Sequence, residues 1–398
     1  MKKKRTRLLL IGLALTLVSA LGLLAQPVLI PWIMSFGPTP TPAPATASVN
    51  PTDVAPSSTT AAESAPTHTI TTAAQPICLY DPRAAAIQDE LDQASWVNWI
   101  QLLSGEKPVE MNGETYTIET RFVANLFNGD PDARAFEFVA DQLRQWGYED
   151  GVTLFEEGYV PDLDNDTETE WQNLVAVIPG TDPVWREQEI LLTAHLDSIT
   201  GEDPTENAPG ADDNATGVAT LMEAARVLRA YSFKRTIKIV FFTGEELGLH
   251  GSQAYVAQHE DELKHIVGVI NLDMFGYDAD NDRCFEIHAG LLKESNLIGG
   301  CLVDLLAAYD FNLNFDYLTE NAIGASDHST FWRKGIGAIE ILENFSTHDF
   351  EDGCSGTDRN PNYHTEGDLV SAINPDTAHA IASAAILTAA TLAEPVGN

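Results

Sequence analysis

Histidine and carboxylate residues follow directly after several short apolar runs of the chain. His195 and Asp197 come after ILLTA, Glu245 and Glu246 after TIKIVFFTG, and Asp273 after VGVINL. In open α/β sheets, ligands bind beyond the carboxyl ends of the strands. If the runs are neighbouring strands, these side chains converge at one edge of the sheet. A mixture of imidazole and carboxylate groups in one place is typical of a metal site.

Two further segments contribute residues of the same types. The loop GADDNATG carries Asp212 and Asp213 just before a predicted helix, and Tyr363 and His364 follow a loop rich in Gly, Asn and Pro. Each residue alone has an ordinary structural interpretation, because an Asp after a strand often caps a helix and a lone His is commonly structural. The joint occurrence of these residues near strand ends favours a metal-dependent site.

The apolar runs also predict the fold. Continuous apolar runs of this length are typical of strands buried on both faces, and here they alternate with helical patterns. The predicted strands are 173–178, 189–195, 236–242, 267–272 and 336–342, and the predicted helices are 133–146, 217–230, 251–258, 291–308 and 375–392. The alternation predicts an α/β three-layer sandwich, with a mixed, mostly parallel central sheet flanked by helices.

The N-terminal part of the chain predicts export. Residues 2–7 carry five positive charges, and residues 8–25 are apolar without any charge. This pattern predicts either a signal peptide or a retained membrane anchor over 1–36, and both place the remainder outside the cytoplasm. The Pro/Thr/Ala/Ser-rich stretch 37–77 is too polar to build a core and predicts a disordered linker. The catalytic domain is expected to occupy 78–398.

The charge and the cysteine content of the chain exclude some classes of function and of metal site. With 59 acidic residues against 22 Lys and Arg, the formal net charge is −37, which excludes nucleic-acid binding as a main role. The four cysteines form no C-x-x-C pair, so a structural zinc knuckle is not expected. An exported protein permits two disulfides. Cys284 with Cys301 is the first expected pair, and buried free thiols are the alternative.

Six motifs taken in order closely resemble metallopeptidase family 28, a family of secreted two-zinc aminopeptidases. They are H-x-D at His195, GADDNATG, EE followed by LGLHGS, NLDM, SDH and YHTEGD. The resemblance runs through residues 171–392 and implies a zinc exopeptidase fold. It further implies a cis peptide bond between Asp213 and Asn214.

The resemblance implies a site for two zinc ions and a role for each site residue. It implies that His195 and Asp273 bind the first metal, that Glu246 and His364 bind the second, and that Asp213 bridges both. It also implies that Glu245 is the general base, that Asp197 orients His195, and that Tyr363 lies near the developing oxyanion. Ser326, Asp327 and His328 match a family motif with a supporting role. The nitrogen and oxygen donors suit zinc, and Mn²⁺ or Co²⁺ would also fit them.

These features predict an aminopeptidase that acts on peptides with free N-termini. A carboxypeptidase of the same fold is the near alternative, and it would need a basic residue such as Arg333, Lys334 or Arg359 to hold a terminal carboxylate. A glutaminyl-cyclase-like activity is less favoured, because that relative uses one zinc. A non-catalytic binding module on a surface stalk is the alternative from a different class.

Several other sequence patterns are weaker evidence for functional sites. Two D-x-D-x-D triplets, one starting at Asp162 and one at Asp278, have calcium-like spacing but lack the expected Gly, and solvated acidic loops are favoured. Asn214 and Asn344 begin glycosylation sequons by pattern only. His288 and His348 are interpreted as histidines that do not bind metal.

Overall fold

The computed structural model describes residues 77–163, 169–346, 353–354 and 356–397. The predicted signal or anchor segment and nearly all of the predicted linker lie outside this part, so the domain boundaries stay predictions. Among the helices of the described residues, none is both long and apolar enough to cross a membrane.

The described part of the chain contains ten β-strands, nine α-helices and three short 3₁₀ helices. The strands are β1 (Val109–Met111), β2 (Glu114–Tyr116), β3 (Leu154–Tyr159), β4 (Trp171–Ile178), β5 (Glu189–His195), β6 (Thr236–Phe242), β7 (Ile266–Leu272), β8 (Cys284–His288), β9 (Asn314–Leu318) and β10 (Ala338–Glu343). The α-helices are α1 (Pro82–Gln88), α2 (Gln93–Leu103), α3 (Val123–Leu126), α4 (Ala135–Gln145), α5 (Ala215–Leu228), α6 (His250–Gln258), α7 (Lys293–Ala308), α8 (His328–Arg333) and α9 (Pro375–Ala393). The 3₁₀ helices are Pro131–Ala133, Leu263–His265 and Val370–Ala372.

Eight of the strands form one mixed sheet in the order β3-β4-β6-β5-β7-β10-β8-β9. The pairs β5/β6, β5/β7, β7/β10 and β8/β9 are parallel, and the other three pairs are antiparallel. The three central strands β6, β5 and β7 therefore run in the same direction. Their carboxyl ends lie side by side at one edge, as the sequence predicts.

Helices cover both faces of the sheet. Side chains of β5 alternate between two separate hydrophobic cores: Ile190 and Leu192 belong to the larger core, and Leu191 belongs to the smaller one. The larger core includes residues of α5 and α9, whereas the smaller includes residues of α6 and α8, such as Val256 and Phe331. This arrangement confirms the predicted α/β three-layer sandwich.

Five strands were not predicted from the sequence: β1 and β2 form a separate two-stranded sheet, and β3, β8 and β9 lie toward the two edges of the main sheet. Strands β3, β8 and β9 carry charged residues among the apolar ones, as in CFEIH and LFEEGY. Such short, mixed segments lack the continuous apolar run of a strand buried on both faces. The central strands β5 and β6 have the predicted bounds. Strands β4 and β7 differ from the prediction by one or two residues at their start, and β10 differs by one or two residues at each end.

The predicted pairing of Cys284 with Cys301 is wrong, and so is the free-thiol alternative. The disulfides join Cys78 to Cys301 and Cys284 to Cys354. Cys301 lies in the middle of α7, where it packs against Cys78 and Leu305 of the same small cluster. Cys284 instead begins β8 and faces the segment that contains Cys354. Closeness in sequence misleads here, because α7 carries Cys301 away from β8.

The Cys78–Cys301 disulfide closes a loop of 223 residues and ties the start of the folded part to α7. Because a cross-link restricts the unfolded chain, we expect the double variant C78S/C301S to lose about 2–4 kcal/mol of the free energy of unfolding. Urea unfolding followed by circular dichroism measures this change, with the non-reduced parent protein as reference. Equal free energies of unfolding for the two proteins would contradict the expectation.

Candidate metal centre

The site residues are delivered by the carboxyl ends of the three central parallel strands. His195 is the last residue of β5, and Asp273 directly follows the end of β7. Glu245 and Glu246 follow β6 within four residues. Since these strands are neighbours in the sheet, the side chains meet at one edge, where the loop before α5 adds Asp213.

Asp213 lies between two pairs of potential ligands. Its Oδ1 is 3.3 Å from His195 Nε2, and its Oδ2 is 3.2 Å from His364 Nε2. On the first side, Asp273 Oδ1 is 3.1 Å from His195 Nε2. On the second side, Glu246 Oε2 is 2.9 Å from His364 Nε2. The five predicted ligands therefore surround one small region, with one oxygen of Asp213 toward each pair.

The residues present fit a metal ion. One ligand atom from each of His195, Asp213 and Glu246 lies within 4.8 Å of the others. His364 Nε2 and Glu246 Oε1 are buried without a hydrogen-bond partner, although His364 Nε2 is in close contact with Glu246 Oε2. Buried polar atoms without partners are costly in a folded protein. A cation held between imidazole nitrogen and carboxylate oxygen would satisfy them, and these are donors that zinc prefers.

The pKa shifts of the site residues also indicate that the site favours a positive charge. Burial would raise the pKa of Asp213, but the hydrogen bonds and charges of His195 and His364 hold it well below its ordinary value. Burial raises the pKa of Glu246 to about 7, and the charge of Asp213 adds to this. Burial would lower the pKa of His364, but Glu246 and Asp213 raise it to about 10. The carboxylates thus favour protonation of His364, and a metal ion bound there would displace that proton.

The loop that presents Asp213 is fixed by its own backbone and by its neighbour Asn214. The peptide bond between these two residues is cis, as the resemblance implies. Asn214 caps α5, because its Oδ1 accepts a hydrogen bond from the Gly217 amide, and its Nδ2 donates to the Leu272 carbonyl. The cap therefore ties the start of α5 to the end of β7, one residue before Asp273.

Asp197 contacts the site through different atoms than expected. Its backbone oxygen lies 3.0 Å from His195 Nδ1, whereas its carboxylate Oδ1 is 3.8 Å from the same nitrogen. The carboxylate instead accepts hydrogen bonds of 3.3 Å from the amides of Glu245 and Glu246. Asp197 thus contacts the imidazole through its carbonyl and the Glu245–Glu246 turn through its side chain.

Three residues without a predicted role support the site. Arg121 is fully buried and donates to the carbonyls of Leu103, Leu196, Pro209 and Gly210. Burial lowers its pKa to about 10, with nearby carboxylates such as Asp368 acting against this shift, so the guanidinium stays charged at neutral pH.

Asp368 accepts hydrogen bonds from the amides of Asp212 and Asp213, and Asn360 Nδ2 donates to the carboxylates of both Asp212 and Asp368. Asp368 is the last residue of the YHTEGD motif, which was the available signal for it. Arg121 carried no such signal, because most of its carbonyl partners lie in distant segments, up to 89 residues away. Asn360 lies outside the quoted motifs, and its partner Asp212 is 148 residues away.

The remaining predicted site residues lie around the centre. The Tyr363 ring stacks on the His364 ring with centroids 3.8 Å apart. Burial raises the pKa of Tyr363, so its phenol keeps its proton at neutral pH. Asp327 is fully buried, and both of its carboxylate oxygens lack a hydrogen-bond partner. Ser326 accepts a hydrogen bond from Asn271 of β7.

Other residues from the sequence patterns lie elsewhere or are committed to other contacts. The His288 ring contacts Glu286 at 2.8 Å and accepts from the Ile323 amide, while His348 lies outside the described residues. The sequon residues Asn214 and Asn344 are both buried. Lys334 forms an ion pair with Glu260, which precedes β7, so it lies away from the carboxyl ends of the strands. Arg359 instead stacks over the ring of Tyr363.

The sequence matches the model of peptidase family M28 over residues 173–389. Leucine aminopeptidase 1 of Trichophyton equinum is 32% identical over 214 residues, which cover 51% of this chain and 53% of the relative. Leucine aminopeptidase 1 of Trichophyton rubrum is 32% identical over 215 residues, with the same coverage. The chain thus spans about half the length of the curated relatives it matches.

Solved structures share the fold at lower identity. The LapA aminopeptidase of Legionella pneumophila matches with a TM-score of 0.62 and 21% identity, covering 82% of this chain and 79% of its own. An aminopeptidase from Aneurinibacillus sp. strain AM-1 matches with a TM-score of 0.55 and 17% identity, covering 79% of this chain and 97% of its own. The glutaminyl cyclase of Porphyromonas gingivalis matches with a TM-score of 0.55 and 21% identity, covering 75% and 98%.

The contacts of Arg121 predict that this residue supports both folding and metal binding. Arg121→Met removes a hydrogen-bond donor from each of four buried carbonyls, and we expect it to lower the free energy of unfolding by about 3 kcal/mol or more. Zinc affinity should fall with it, because Pro209 and Gly210 lead into the Asp213 loop. Chemical denaturation and zinc titration measure the two effects, with Arg186→Met at an exposed position as control. A variant as stable as this control would contradict the supporting role.

Proposed function

The chain belongs to peptidase family M28, and on this premise we propose that it is an extracytoplasmic metallo-aminopeptidase that removes residues from the N-termini of peptides. The position of Asp213 carries the proposal. Its two carboxylate oxygens face two separate pairs, each made of one imidazole and one carboxylate. This is the arrangement that a pair of metal ions bridged by one carboxylate requires.

In the proposed centre, His195 and Asp273 would hold one zinc ion and Glu246 and His364 would hold the other, with Asp213 shared between the two. Zinc bound there supplies a Lewis acid for the scissile carbonyl and lowers the pKa of a water molecule. Mn²⁺ or Co²⁺ are possible substitutes, because they accept the same nitrogen and oxygen donors. Both imidazoles must be neutral to bind, so metal binding releases the protons that the carboxylates otherwise favour on them.

Glu245 is the proposed general base, which takes a proton from water and passes it to the leaving amine. Burial raises the pKa of Glu245 well above its ordinary value, the charge of His195 opposes this, and Asp273 and Glu246 add to it. A base with a raised pKa is suited to accept a proton near neutral pH and release it again. The Asp197 carboxylate fixes the backbone of Glu245, and Tyr363 is proposed to donate a hydrogen bond toward the carbonyl oxygen as it gains negative charge.

The charge of the protein supports substrates with a free α-amine. The formal net charge of −37 and the many carboxylates of the site attract a cationic N-terminus. The carboxypeptidase alternative has one specific observation in its favour, since the Arg359 guanidinium lies 5.0 Å from the Tyr363 ring centroid. The binding-module alternative has less support, because each predicted ligand and Glu245 is present.

Two observations support a location outside the cytoplasm. The two disulfides are typical of proteins in oxidising compartments. The charged and apolar pattern of residues 1–36 predicts a signal peptide or an anchor that would attach the protein to the outer face of the membrane.

Replacing the proposed base tests its role separately from metal binding. We expect Glu245→Gln to retain its zinc and to lose about 10²–10⁴-fold in kcat, because the amide cannot accept the proton. Zinc content is measured by mass spectrometry and turnover with a leucyl peptide. Glu187→Gln, at an exposed position, is the matched control and should keep full turnover. A Glu245→Gln variant as active as this control would remove Glu245 from the mechanism.

A mixture of unblocked, N-acetylated and C-amidated peptides tests the substrate class. We expect the zinc-loaded protein to shorten unblocked and amidated peptides from the N-terminus, to leave acetylated ones intact, and to stop after chelation. Mass spectrometry of the products identifies the end that is cleaved. Trimming from the C-terminus that amidation blocks would establish the carboxypeptidase instead. Absence of cleavage in zinc, manganese and cobalt would favour the binding module.

A further inference from the structure

A second group of carboxylates lies in the loop between β7 and β8, separate from the five proposed zinc ligands. One oxygen from each of Asp278, Asp280 and Asp282 lies within 4.8 Å of the others. The sequence favoured a solvated acidic loop here. Three carboxylates this close repel one another, and a cation between them would remove that repulsion. The spacing alone does not make a site, and the burial of one member is the decisive additional observation.

Asp278 is only 5% exposed, which is unusual for a carboxylate in an acidic loop. Its Oδ2 accepts hydrogen bonds from Thr377 Oγ1 at 2.5 Å and from Asn374 Nδ2 at 3.0 Å. Its Oδ1 is buried without any hydrogen-bond partner. An unsatisfied buried carboxylate oxygen costs more than an ordinary polar atom. Oδ2 is thus engaged by Asn374 and Thr377, and Oδ1 is the oxygen that is left without a partner.

We propose that Asp278, Asp280 and Asp282 bind a calcium ion. All three donors are carboxylate oxygens, which hard divalent cations prefer over the nitrogen-rich sets that zinc selects. Calcium takes oxygen ligands at about 2.3–2.6 Å, so two ligands on opposite sides of the ion are about 4.6–5.2 Å apart. The three oxygens, which lie within 4.8 Å of one another, are close enough for one ion of this size to contact all of them. Magnesium at about 2.0–2.1 Å demands a tighter and more regular shell.

The calcium ion would fix a segment that leads out of the metal centre. The amide of Gly276 donates to Asp212 Oδ1, and its carbonyl accepts from the Asn374 amide at the start of α9. Asp358 accepts from the amides of Ala279 and Asp280. The segment that follows Asp273 is therefore held against α9 and the Asp358 segment. A bound cation would neutralise the carboxylates at this junction and stabilise the loop. Its effect on turnover would be smaller than its effect on stability, because the ion would act on the metal centre only through this loop.

Calorimetric titration of the zinc-loaded full chain with CaCl₂, in buffer prepared without calcium, tests the proposal. We expect saturable binding of one calcium ion and, at a hundredfold excess over the Kd, a rise in Tm of roughly 3–6 °C. Asp280→Asn should weaken calcium binding at least about tenfold, because it removes one charged ligand. Asp280 is exposed, so the variant is expected to fold. Asp261→Asn removes one negative charge at another exposed position and should bind calcium as the parent protein does.

Three results would overturn the calcium site. The first is a zinc-loaded parent protein that shows neither calorimetric binding nor a Tm shift with calcium. The second is equal calcium affinity for Asp280→Asn and Asp261→Asn, because binding would then not depend on this cluster. The third is binding of MgCl₂ as tight as that of CaCl₂. None of these readouts depends on peptidase activity, so they are independent of the function proposed above.

Discussion

The carboxylate of Asp213 is the constraint on which the rest of the site depends. It can face His195 with one oxygen and His364 with the other only if its loop is held from several sides. The Asp368 carboxylate accepts a hydrogen bond from the Asp213 amide, and Arg121 donates to the carbonyls of Pro209 and Gly210, which precede Asp213 in the loop. Two buried charged groups, the Arg121 guanidinium and the Asp368 carboxylate, thus position one side chain. Buried charged groups that hold a single loop are expected at a functional site rather than in an ordinary core.

The fold supplies the remaining groups from rigid elements. Three adjacent parallel strands end at the same edge, and each one ends in, or is followed by, a predicted metal ligand or the proposed base. The two hydrophobic cores that cover the sheet fix those strand ends relative to each other. Only His364 comes from a loop far along the chain, and its ring is held by stacking with Tyr363. The packing of apolar side chains, rather than contacts among the charged groups, therefore places the charged groups of the site.

The sequence predicted those parts of the structure that depend on local pattern. Runs such as EILLTAH and TIKIVFF are continuous and apolar, so the central strands and the residues that follow them could be located from them. The edge strand β9 and its neighbour β8 contain charged residues, and their pairing is set by contacts with distant segments. The disulfides join residues 223 and 70 positions apart, and three of the four carbonyls that Arg121 contacts are 75 to 89 residues away. No periodicity or spacing within one segment carries that information.

The proposed two-zinc centre can be tested by anomalous diffraction at the zinc absorption edge, from crystals of the zinc-loaded protein. We expect two peaks about 3.5–4 Å apart, with the Asp213 carboxylate between them, His195 and Asp273 beside one peak, and Glu246 and His364 beside the other. A single peak at full zinc loading, or two peaks without Asp213 between them, would contradict the proposed bridging role of Asp213.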